Sequence, residues 1–176
     1  MAKLQSGTRV YGALTVDTSV TVPLLTTGAD ATLGTIQGTW SLSGTSKFQA
    51  TYADLAEYYE GDKEYEPGTV LVFGGDKEVT TTTRYADRRV AGVVSNTAAY
   101  LMNQECPGIK VCIALQGRLP VKVAGFVRKG DILVTSEIPG YAVANNEPNA
   151  GTIIGKAITS KENMERGIVE VSVGRT

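Results

Sequence analysis

The amino-acid sequence predicts a mainly β protein. An extended N-terminal β arm covers residues 1–50, one short helix 51–61, and a β-barrel or sandwich of two similar β units 62–176. Three observations carry that expectation. Apolar residues in the arm alternate with a period of two, the signature of a strand whose faces differ. Glycine and proline punctuate the remainder closely enough to keep every element short. A pattern of strand and turn residues beginning at Pro67 returns 62 to 63 residues later.

In the arm, Val10, Gly12, Leu14 and Val16 alternate with Arg9, Tyr11, Ala13, Thr15 and Asp17. Val20, Val22 and Leu24 repeat the pattern, which Pro23 and Gly28 interrupt, and Leu33, Ile36, Trp40 and Leu42 form a third extended piece. Lys3, Arg9, Asp17, Asp30 and Lys47 are its only charges, a composition unlike that of a disordered tail. Strands this short and glycine-broken cannot by themselves bury enough apolar surface to offset the entropy of ordering them. The expected solution is burial between molecules, with Val10, Leu14, Val16, Val20, Val22 and Trp40 packing on copies of the chain or on a neighbouring protein. A small β subdomain packed on its own chain is the alternative.

The helix is predicted from Thr51 and Asp54, which have capping-box spacing, from Ala53, Leu55 and Ala56, and from Gly61 at the C-terminal position. Leu55, Tyr58 and Tyr59 would then lie on neighbouring rows of one face, and with Tyr52 they join the expected oligomer or partner contact.

Beyond the helix, Pro67-Gly68-Thr69-Val70-Leu71-Val72 and Val90-Ala91-Gly92-Val93-Val94-Ser95 are matched by Lys129-Gly130-Asp131-Ile132-Leu133-Val134 and Ile153-Ile154-Gly155-Lys156-Ala157-Ile158. The constant offset predicts an internal duplication, about 66–123 and 128–175. Pro120 marks its strand as an edge or as a strand start. An insertion from Asn96 to Gly108 brings Tyr100, Leu101 and Met102 to a loop, where they cap the barrel or dock a partner.

Charge and composition exclude several functions. A formal net charge of −1 gives no excess of cations to neutralise phosphates, so no nucleic-acid partner is expected. The cluster Arg84, Arg88 and Arg89 encloses Asp87 and reads as a solvated or subunit-contact face. Met1-Ala2-Lys3 leads into polar residues rather than an apolar run, and no segment approaches the roughly 20 apolar residues of a membrane helix. Without histidine the chain holds no Ser-His-Asp or Cys-His catalytic set. Cys106 and Cys112 flank Pro107-Gly108 and read as small half-buried side chains beside a turn, a disulfide being the alternative. The acidic run Asp54, Glu57, Glu60, Asp62, Glu64 and Glu66 lacks the spacing of a calcium loop. Gly74-Gly75 and Gly117 lack the phosphate-loop and dinucleotide patterns. The expectation is no enzyme, no cofactor and no metal.

The run from Phe48 to Asp62 resembles a stretch found in structural proteins of tailed bacteriophages, tail-fibre and tail-appendage proteins above all. So do Tyr65 to Gly75, Arg88 to Ser95 and Leu115 to Gly125, in that order. The resemblance spans about residues 45–176 and implies a virion protein made in the host cytoplasm. Its implied partners are copies of itself, a trimer being the expected state, and other virion proteins; the aromatic residues Trp40, Tyr52, Tyr58 or Tyr59 add the expectation of a host surface glycan. With an arm of about 50 residues, a short fibre, a baseplate or neck component, or a capsid decoration (cement) protein fits better than a long fibre. The resemblance also raises a self-cleaving chaperone domain, for which Ser46 would be the nucleophile and Lys47 or Asp54 its helper.

Overall fold

The computed structural model describes residues 49–174, together with Thr15, Ser41, Gly44, Thr45 and Lys47. The chain divides into two units, Met1–Lys47 and Phe48–Thr176. The described part of the second unit is strand and loop throughout: β1 (Asp54–Gly61), β2 (Val70–Phe73), β3 (Val79–Thr80), β4 (Val90–Val94), β5 (Tyr100–Met102), β6 (Ile109–Ala124), β7 (Ile132–Thr135), β8 (Ala142–Ala144), β9 (Ile153–Ala157) and β10 (Arg166–Val173).

The pairings close a five-stranded β-barrel, β1–β3–β2–β4–β6 and back to β1. They close a second five-strand ring, β6–β8–β7–β9–β10, on the same long strand. In each ring one neighbour pair is parallel and the rest antiparallel, and register slips by a residue at matching places, Leu71/Val72 and Leu133/Val134. The second ring is built from five consecutive strands, whereas the first skips β5. β1 closes the first, and β6 belongs to both.

Two apolar clusters follow from this arrangement. Leu71, Val79, Ala91, Val94, Val111 and Ile113 pack with Tyr59 and Phe73, so every strand of the first ring contributes. Val121, Val123, Leu133, Ala142, Ile154, Val169 and Val171 form the second, which extends to Val70, Val90 and Val93 on the opposite faces of β2 and β4. Those two strands are therefore buried on both sides, which is why they read as unbroken apolar runs rather than as alternating ones.

The predicted helix over 51–61 is a strand from Asp54 to Gly61. All eight of its residues pair antiparallel with β6, from Asp54 opposite Gly117 to Gly61 opposite Ile109, while β5 and β3 take its other edge. Long-range ladder bonds on both edges outweigh a local helix preference worth only tenths of a kcal/mol per residue. The capping geometry is absent: the Asp54 carbonyl accepts from the Ala99 amide at 2.9 Å, and Gly61 is no helix cap. Gly61 instead lies where a Cβ would come within 2.5 Å of Val111 Cγ2.

Pro120 sits in the middle of the shared strand, not on an edge strand. The amides of Arg118 and Lys122 donate to Ala53 O and Gly68 O at 3.2 and 2.9 Å, so by the period of two the Pro120 nitrogen faces the same side. On that side β6 has left β1 at Gly117 and does not reach β8 until Val123. The missing N–H falls in the gap between two partners, and no ladder bond is lost.

Candidate functional site

Strand β5 is the outermost strand of the sheet, with β1 on one side and, among the described residues, no strand on the other. Leu55 and Tyr100 are direct partners across this parallel pair and so share a face; they are 36% and 64% exposed. Tyr52, two residues before β1, is 56% exposed. An open edge and a row of exposed apolar and aromatic side chains thus coincide. Tyr58 and Tyr59, expected on one helix face with Leu55, point to opposite faces of the strand. The Tyr59 ring packs edge-on against Phe73 at 5.4 Å and its hydroxyl donates to Glu57 at 2.8 Å. Tyr58 has Lys110 Nζ 5.8 Å from its ring centre. Of the predicted contact residues, Tyr52 and Leu55 are presented and Tyr59 is a wall of the first barrel. Val10, Leu14, Val16, Val20, Val22, Trp40 and Ser46 lie outside the described residues.

Beside this edge, Asp54 is buried, and its Oδ2 finds no hydrogen-bond partner among the described residues. Asp54 and Glu57, expected to share a helix face, lie on opposite faces of β1. Of the rest of the acidic run, Glu60, Asp62 and Glu66 are engaged by their own chain, and Glu64 is exposed. Glu60 accepts from Lys77 at 2.8 Å, Glu66 accepts from Lys122 at 2.7 Å, and Asp62 accepts from the Tyr65 and Thr80 hydroxyls. Burial works against the ionised form of Asp62, but the Tyr65 and Thr80 bonds carry its carboxyl below the usual value. Among the described residues no three His, Cys, Asp or Glu side chains are placed to hold a metal ion. Cys106 is buried and Cys112 half-buried, both as free thiols. Burial first, then the Asp54 carboxylate, pushes the Cys112 thiol up to about 11.

The arginine cluster is a built loop between β3 and β4. Asp87 is fully buried and accepts from Arg89 Nε and Nη2 at 3.1 and 2.7 Å, from the Arg89 amide at 3.0 Å, and from the Thr82 hydroxyl at 2.9 Å. The Arg89 side-chain bonds hold its carboxyl far below the ordinary aspartate value, against the opposing effect of burial. Sequence reasoning identified the cluster but not its anchor. That anchor is Thr135, a buried residue of β7 distant in sequence, and no local signal names it.

No protein-family model and no curated protein matches this chain. Among solved structures it is similar to the head fibre gp8.5 N base of bacteriophage phi29, at 17% identity over 69% of this chain and 95% of that one, with a TM-score of 0.42. At that identity and superposition the likeness bears on neither fold nor function.

Proposed function

We propose that this chain is a non-enzymatic structural component of a bacteriophage virion that assembles as a homo-oligomer, a trimer, in a short tail appendage. A capsid decoration protein is the alternative placement. The observation that carries the assembly reading is the edge of β5, which no strand covers among the described residues, with Leu55, Tyr100 and Tyr52 exposed beside it. A strand edge with unpaired amides and carbonyls is a template for a further strand, and apolar side chains along it supply burial once that strand arrives. The arm, with its alternating Val10, Leu14, Val16, Val20 and Val22, is the segment of the chain patterned to supply it. The virion reading draws on the four sequence stretches that resemble phage tail proteins in their order.

The test is the solution mass of the full chain and of a Leu55→Glu/Tyr100→Glu double variant, by light scattering on size-exclusion peaks. A trimer that falls to monomer in the double variant supports the proposal. A monomeric parent chain overturns self-assembly and leaves the decoration role, in which the lattice of another protein would order the arm.

A further inference from the structure

The loop carrying Arg84, Arg88 and Arg89 lines an open cleft of about 400 Å³, closed on its other side by Asn149 and Thr152 from the β8–β9 connection. The loop is pinned. Ala86 takes a left-handed conformation with φ 48°, which a non-glycine residue adopts at a cost of about 1–3 kcal/mol unless its surroundings hold it there. What holds it is Thr135: the Ala86 amide donates to its carbonyl at 3.0 Å and the Asp87 amide to its hydroxyl oxygen at 2.7 Å. The same hydroxyl donates to the Arg84 carbonyl at 2.9 Å. The opposite wall is fixed as well, because the Thr152 amide and hydroxyl both donate to the Asn149 carbonyl, at 3.2 and 2.7 Å.

The charges do not cancel. Asp87 spends its carboxylate on Arg89 and Thr82, and neither Arg84 nor Arg88 has a carboxylate partner among the described residues. Three guanidinium groups against one carboxylate leave the cleft with a net charge of about +2 at neutral pH. Guanidinium forks match the two oxygens of a carboxylate or phosphate, and the exposed Asn149 amide adds a further donor. A preorganised cationic cleft in a chain of formal net charge −1 is not explained by packing.

We propose that this cleft binds an oxyanion: a ligand presenting one or two carboxylate or phosphate groups on a compact polar body, of which an acidic sugar residue is the best fit. The walls are two loops with no strand edge between them, so an extended peptide finds no ladder to join. The overall negative charge opposes a long polyanion such as nucleic acid, whereas a local charge of +2 suits one or two anionic groups. The volume lies within the range of small-ligand sites. The inference goes beyond the assembly reading and does not rest on it.

The test is calorimetric titration of the full-length protein with trigalacturonate, inorganic phosphate, maltotriose and hexaglutamate, repeated on the Arg84→Gln/Arg88→Gln variant. Both arginines are exposed, and an unchanged Tm confirms that the variant is folded. The expected result is binding of trigalacturonate, weakened by added salt and at least ten-fold by the double substitution, with no heat from maltotriose. Phosphate binding as tightly as the trisaccharide also supports the oxyanion site and assigns recognition to the anionic group alone. Absence of binding by either anion, or affinity unchanged in the variant, overturns the proposal. Hexaglutamate binding more tightly than both overturns the acidic-sugar assignment in favour of an acidic protein segment.

Discussion

Gly92 and Gly155 occupy the same position in two closed rings. Gly92 is opposite Leu71 and Gly155 opposite Leu133, each beside the register slip of its ring. A Cβ at Gly92 would run into the Ala114 carbonyl oxygen and lie 2.6 Å from Ile113 Cγ2. A Cβ at Gly155 would run into the Ser172 carbonyl oxygen and lie 2.8 Å from Val173 Cα. In both places the obstacle is backbone of the neighbouring strand, which cannot swing aside as a side chain can.

Gly92→Ala and Gly155→Ala should therefore each destabilise the fold, by about 2–3 kcal/mol or more. Gly130→Ala is the comparison. Its backbone is left-handed at φ 94° but nothing lies within 4 Å of the added carbon, so only the strain of about 1 kcal/mol remains. Urea midpoints of the three variants would show the order directly. Equal losses would mean that the close approach of strands is not what requires glycine at these positions.

The Asp87 cluster sets an acid limb. The Asp87 carboxyl titrates below its unfolded value of about 3.9, so the stabilisation it provides is complete above roughly pH 5 and is lost as pH falls toward the folded value. At pH 7, Asp87→Asn should cost about 1–3 kcal/mol, short of a fully buried pair because the Arg89 side chain is half exposed and can turn to water. The gap between parent and variant should narrow steadily from pH 5 to pH 2 in denaturant titrations. A gap independent of pH would remove the charged Asp87–Arg89 pair as its source.

The thiols should be inert in the folded state. With Cys112 pushed up to about 11, only roughly one part in a thousand is thiolate at pH 8, against about a quarter for a free cysteine. Burial raises the Cys106 thiol as well, with the carboxylates of Glu78 and Glu60 adding to it. Reaction with a disulfide reagent at pH 8 should run at least 100-fold slower in buffer than in urea. Fast labelling of one thiol would show that the segment around β5 opens readily.

The β class, the turns and the matched glycines were legible because they are written locally: alternation, Pro-Gly and Gly-Asp turns, and a fixed offset between Gly68 and Gly130. The nature of residues 54–61 was not. Asp-Leu-Ala-Glu-Tyr-Tyr-Glu satisfies a helical pattern as well as an extended one, and what decides is a sixteen-residue strand about fifty positions away. Pro120 misled for the same reason. Whether a missing N–H matters depends on which strand lies beside it, and β6 changes partners at that point. At the candidate sites, the residue types of the arginine cluster and of Tyr52, Leu55 and Tyr100 were visible. Their exposure, the Thr135 anchor and the cleft wall at Asn149 were set by tertiary contacts and were not.

Asp54 offers a test of what lies against strand β1 in solution beyond the described residues. Its buried Oδ2 has no donor among the described residues, and an unsatisfied buried polar atom costs about 1–3 kcal/mol. Asp54→Asn preserves shape and removes the charge, so an isolated chain should gain about 1 kcal/mol in urea. The Cys112 thiol should also become easier to ionise, since Asp54 is the second cause of its elevation. The two readouts are independent, one of folding and one of local charge. If Cys112 responds but stability falls, the oxygen is satisfied in solution by a donor outside the described residues. Asp54 alternates with exposed Leu55 and points to the buried face of β1, so a docked subunit would supply that donor only by rearranging this face. Repeating the urea titration across protein concentration would then show the loss growing as the oligomer forms.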